Sequence, residues 1–165
     1  PILIIIIDKM RGKRAPKRVL KQDAKYNSSL VTKLINYVMQ DGKKGVATTL
    51  VYKALTDLEE KSGMPALEAL EKALENIKPN IEVRSKRVGG ANYQVPVPVK
   101  PERQSTLALR WLIESVRKSR GSKETWQVLS KNLQEAINEE GAAITKKKDV
   151  EKMAEANKAF AHFAW

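Results

Sequence analysis

Apolar residues recur at helical spacing along most of this chain, but between residues 80 and 100 the period drops to two. That one interruption limits the fold more than any other feature. A chain with period 3.6 on both sides of a short alternating segment cannot build a wide sheet, so it must be a helical body carrying one isolated β element. Leu30, Leu34 and Val38, with Val31 and Ile35 beside them, form the first stripe; Ser28 or Ser29 can cap it and Asp41-Gly42 ends it. A second helix runs from about Val46 with Leu50, Val51, Ala54, Leu55 and Leu58 inward, and Ser62-Gly63 closes it. Pro65 suits the first turn of a third, whose stripe is Leu67, Leu70, Ala73, Leu74 and Ile77 before Pro79 stops it.

Within the interruption, Ile81 and Val83 alternate with Glu82, Arg84 and Lys86. Across Gly89-Gly90, Tyr93, Val95, Val97 and Val99 alternate with Gln94, Pro96 and Pro98. This pattern predicts a β-hairpin turning at the glycines, which supply positive φ. Pro96 and Pro98 cannot donate ladder bonds, so the hairpin is a lone two-stranded ribbon. A ribbon of that kind is marginal in water and needs its base packed on helices, or a ligand along its length. Helices resume after Pro101. The fourth stripe is Leu109, Leu112, Ile113 and Val116, flanked by Trp111 and ended by Gly121. Ser122 can cap a fifth helix with Trp126, Leu129, Leu133 and Ile137 inward, and Gly141 follows it. Thr145 or Asp149 opens a sixth, on which Val150, Met153, Ala154, Asn157 and Phe160 share a face. The expected fold is mainly α: a bundle of about six helices with a protruding two-stranded hairpin and a basic N-terminal arm.

Charge supplies the functional direction. The formal net charge is +12 over 165 residues, with a sequence pI near 9.9. It divides unevenly, as +8 over residues 1–45, −3 over 46–77, +7 over 78–120 and zero over 121–165. A merely solvated surface would not leave one block acidic and the last neutral, so two patches for a polyanion are expected. Residues 10–27 are basic and aperiodic and read as an extended arm that orders on nucleic acid, with a single helical domain over 28–165 and its ribbon at 80–100. Residues 1–9 read as an upstream extension, with Met10 as the expected native start. The isoleucine run within them is far short of the ~20 apolar residues of a membrane span, so no membrane partner is expected and the default location is cytoplasmic or an organelle matrix.

Catalytic chemistry finds little material. The chain has no cysteine and one histidine, which excludes thiol catalysis, disulfides and zinc fingers, so neither metal nor cofactor is expected. His162 lies among apolar residues near the C-terminus and reads as a partly buried packing residue. Glu59-Glu60 and Glu139-Glu140 are sequence neighbours, which point to different sides of a helix and make poor acid–base pairs. Gly89-Gly90 lacks the lysine and spacing of a phosphate loop. The ribbon, by contrast, carries Arg84, Lys86 and Arg87 toward its turn, with Lys100 and Arg103 at its base. At ~3.3 Å per residue a strand of about seven residues reaches ~20 Å. With Lys25, Lys33, Lys43 and Lys44 in and around the first helix, this favours shape recognition of folded RNA. Lys146-Lys147-Lys148 can be a further contact or a solvated turn, and a helix-turn-helix DNA binder stays open from the helices alone.

Several segments carry a resemblance. They are Tyr26 to Lys33 (YNSSLVTK), Asp41 to Gly45 (DGKKG), Ser85 to Val97 (SKRVGGANYQVPV), Leu107 to Trp111 (LALRW) and Met153 to His162 (MAEANKAFAH). In this order they resemble the bacterial-type small-subunit ribosomal protein seven family, from Met10 to Trp165. The resemblance implies a helical bundle with a β-ribbon and a non-enzyme that binds the 3′ major domain of small-subunit rRNA and nucleates head assembly. Its ribbon would lie at the exit tRNA site near the mRNA. Small-subunit proteins nine, eleven, thirteen and nineteen are the implied neighbours. The rRNA contacts it implies are Arg11, Lys13, Arg14, Lys17, Arg18 and Lys25 on the arm, then Lys33, Lys43, Lys44, Arg103 and Arg110. On the ribbon, the resemblance implies that Arg84, Lys86, Arg87, Gly89, Gly90 and Tyr93 would face rRNA and exit-site tRNA. The sequence departs from the family's usual residues at Gln104 and Lys86, where arginine is common, at Gln22-Asp23 and at Pro98. A free-standing nucleic-acid-binding regulator, including a repressor of its own message, is the alternative function.

Overall fold

The computed structural model describes residues 19–163; the predicted extension and most of the arm, including Arg11, Lys13, Arg14, Lys17 and Arg18, lie outside them. The chain divides between Thr32 and Lys33 into two units. In the first, the Asp23 carboxylate accepts hydrogen bonds from the backbone N–H of Lys25 (3.1 Å) and Tyr26 (3.0 Å). This builds a turn, with Asn27 at positive φ, in the last part of the stretch expected to be extended. Ser28 Oγ then accepts from the Leu30 N–H at 3.2 Å, the expected serine cap. Helix α1 (Ser29–Val38) follows.

The second unit contains α2 (Lys44–Ser62), α3 (Ala66–Ile77), β1 (Ile81–Val88), β2 (Ala91–Pro98), α4 (Pro101–Ser119), α5 (Thr125–Ile137) and α6 (Ala142–Ala156). A 3₁₀ segment, Lys158–Phe163, closes it. The fold is mainly α with one two-stranded hairpin, as the change of period requires. Helix α5 is central and packs on α2, α3 and α4. Leu55 and Leu58 of α2, Leu70 and Ile77 of α3, Leu109 and Leu112 of α4, and Leu129 and Leu133 of α5 are fully buried. Two stripes differ in detail from the expected ones. Trp126 is only half-buried, its indole N–H bonded to the Glu124 carboxylate, and Val128 takes the inward place. Met153 is exposed, whereas Ala143, Ile144 and Ala154 are the buried residues of α6. That helix begins at Ala142, ahead of Thr145 and Asp149, because Gly141 at φ 89° both turns the chain and opens the helix.

The strands pair antiparallel from Ile81↔Pro98 to Val88↔Ala91, joined by Gly89 (φ 58°) and Gly90 (φ 90°). Positive φ at both central residues is the primed turn that matches strand twist. This register puts Glu82, Arg84 and Lys86 on the same face as Val97, Val95 and Tyr93. The face that packs on the helical body therefore takes its apolar residues from β2 and its charged ones from β1. Ile81 is 40% exposed on the opposite face, and Glu82 is buried. The physical reason is that the two-residue turn fixes register, and register fixes the face of every side chain.

Candidate nucleic-acid interface

Each ribbon cation is held by a specific partner or left open to solvent, and the two groups differ in kind. Glu82 Oε1 accepts from Arg84 Nε at 2.6 Å and also from an Arg84 Nη. Its other oxygen accepts from Arg103 Nε at 3.3 Å. Arg84 and Arg103, which sequence reasoning placed at separate points of the ribbon, thus meet at one carboxylate. Lys86 Nζ donates to the Phe163 carbonyl at 2.9 Å. Its cross-strand partner Tyr93 packs in tilted contact against Phe160 and Phe163, its ring centroid 5.2 and 5.1 Å from theirs. The 3₁₀ segment therefore braces the ribbon beyond its base, a support the sequence pattern did not show. Arg87, Gly89 and Gly90 remain exposed toward the turn.

On α4, Arg103 and Arg110 are seven residues apart and exposed, and Arg117 continues the spacing. Seven residues is close to two helical turns, so the three arginines form one stripe, about 21 Å long at 1.5 Å rise per residue. Arg117, whose guanidinium donates to the Tyr37 carbonyl at 3.4 Å, was missed by the sequence reading; the seven-residue repeat was the signal that could have found it. Its end of α4 adds Arg120, and with Lys43 these residues border a shallow groove of about 210 Å³ floored by Ala47, Ile113 and Leu129. Lys43 and Lys44 open α2 with no acidic residue in its first turn, so two cations stand at the positive end of a helix dipole. That placement disfavours folding slightly and favours an anion. Lys33 is exposed on α1. Lys25, in the first unit, lies over the Tyr26 ring at 5.1 Å.

Other candidates resolve simply. Lys147 Nζ donates to the Asn76 carbonyl at 2.9 Å, which ties α6 to α3, while Lys146 and Lys148 are exposed. His162 is exposed instead of partly buried, its Nδ1 2.9 Å from the Ala159 carbonyl oxygen. Among the described residues no helix is long and apolar enough to cross a membrane.

The family model described as "Ribosomal protein S7p/S5e" matches residues 10–158. The small ribosomal subunit protein uS7 of Streptococcus gordonii is 54% identical over 155 residues, 94% of this chain and 99% of that protein. The proteins of the same name from Lactococcus lactis subsp. cremoris and Helicobacter hepaticus are each 54% identical over 156 residues, 94% of this chain and 100% of theirs.

Proposed function

The chain belongs to the ribosomal protein S7p/S5e family, and on that premise we propose that it is a non-catalytic, RNA-binding constituent of the small ribosomal subunit. The observation that carries the proposal is the full-length match to small-subunit proteins. The geometry supports it: an exposed arginine stripe on α4, two lysines opening α2 and a basic ribbon offer charge to phosphates, which fixes position without reading sequence. In finer detail, the protein binds the 3′ major domain of small-subunit rRNA and nucleates assembly of the head. Its ribbon reaches the exit tRNA site beside the mRNA, and proteins nine, eleven, thirteen and nineteen of the subunit are its neighbours. Eight paired residues per strand support this reach, since they extend about 26 Å at ~3.3 Å per residue.

The test is the distribution of the protein across a sucrose gradient of lysate at low magnesium, with binding to an isolated 3′ major domain fragment measured in parallel. Cosedimentation with small subunits and binding to the fragment are expected. Recovery only in the free fractions would favour the regulator.

A further inference from the structure

We infer that Glu82 is a positioning residue, whose carboxylate sets Arg84 and Arg103 as a paired guanidinium clamp for RNA phosphate. The inference rests on the rRNA-binding reading and adds to it one residue and one subsite. Glu82 is 8% exposed and lies on the body-facing side of β1, opposite Val97. Both of its oxygens are engaged, one by Nε and an Nη of Arg84, the other by Nε of Arg103. Two arginines would ordinarily repel each other, and one shared anion holds them together with a net charge of +1 on the trio. A guanidinium is a planar fork with five N–H donors, so gripping it at Nε leaves its remaining edge directed away from the carboxylate. Both side chains reach solvent: those of Arg84 and Arg103 are 56% and 42% exposed, while that of Glu82 is 10% exposed. Phosphate can accept from both forks, and the rotamer freedom an arginine loses on binding is already lost in the folded protein.

The competing account is that Glu82 merely neutralises two cations. The two accounts predict opposite signs. On neutralisation alone, Glu82→Gln adds a net positive charge and binds RNA more tightly. On positioning, the amide puts an N–H donor toward one guanidinium, and the pair comes apart. Binding of the full chain to the 3′ major domain fragment is measured across about 50–200 mM salt, with the melting temperature alongside. For Glu82→Gln, affinity about tenfold weaker is expected, with the salt slope reduced by about one phosphate despite the added charge. Equal or tighter binding overturns the inference, as does a lowered melting temperature with unchanged slope. If Glu82→Gln fails to fold, the charge-conserving pair Arg84→Lys and Arg103→Lys decides. Lysine keeps the charge but not the fork, so about tenfold loss is expected and undiminished binding overturns the clamp. A wild-type chain that does not bind the fragment overturns the functional reading itself. A wild-type chain that binds, with variants that bind equally, overturns the clamp alone.

Discussion

Asp57 shows how one buried-side carboxylate is kept ionised inside this fold. Burial pushes its pKa up, but hydrogen bonds from Lys61 Nζ (2.6 Å) and Ser130 Oγ (2.5 Å), with the Lys61 charge, outweigh that and hold it below its ordinary value. Ser130 lies on α5 and Asp57 on α2, so the bond ties the central helix to its neighbour. A depressed carboxyl stabilises the fold at pH values above its unfolded pKa of about 4, and the contribution disappears as pH falls through the lower folded value. Asp57→Asn should therefore flatten the acid limb of stability below about pH 4 while leaving the limb above pH 6 parallel to wild type. Urea titrations at stepped pH would show this, and an unchanged acid limb would remove Asp57 from the account. Ser130→Ala takes away a fully buried hydroxyl donor and should cost about 1 kcal/mol at neutral pH. The pairing was not legible in the sequence. Asp57 and Ser130 sit 73 residues apart, each on a helix whose apolar stripe gives no sign of a polar bond across it.

At the scale of elements, the ribbon is the part whose stability is least self-evident. Two strands alone are marginal, and this pair is braced at Val95 and through the rings of Tyr93, Phe160 and Phe163. Phe160→Ala should release about 1 kcal/mol of ring packing. Because the cluster lies outside the leucine core, amide exchange should quicken across Ile81–Val88 and Ala91–Pro98 with the helical amides little changed. The expected fall in melting temperature is about 2–4 °C. Uniform acceleration across every helix would instead place the ring cluster in the global core. The same element marks where sequence legibility ends. Its existence, turn and extent followed from period two around Gly89-Gly90 with prolines on the return strand. Its inward face did not, since Ile81 and Val83 outrank Glu82 in apolarity and the register, not apolarity, decides which of them faces the body. Helices α1 to α5 were legible because strong leucine and valine stripes repeat at 3.6. The start of α6 was not, because Ala143 and Ile144 are too small a signal beside the three lysines that follow.

At the scale of the whole molecule, the two positive blocks of sequence become surfaces of different standing. Several cations outside them answer to local partners, as Lys61 does to Asp57, Lys131 to Glu135 and Lys147 to Asn76. Arg87, Arg110, Lys43 and Lys44 are exposed and take part in no ion pair among the described residues. The acidic block maps to α2 beyond its first turn and to α3. If about six phosphates are neutralised, affinity for the 3′ major domain should fall ~10³-fold between about 50 and 200 mM salt. The arm's share can then be separated from the body's. Replacing Arg11, Lys13, Arg14, Lys17 and Arg18 together by Gln should reduce the log–log slope by up to about 4.5, at ~0.9 per phosphate. Arg110→Gln on the α4 stripe should reduce it by about one. Lys72→Gln on α3 and Lys131→Gln on α5 remove the same charge from exposed positions outside the proposed contacts and should leave the slope unchanged. The comparison discriminates because net charge alone would treat Lys72, Lys131 and Arg110 alike. Equal slope changes for all three would mean that diffuse positive charge binds the RNA. A loss confined to the arm and Arg110 would mean that placement does.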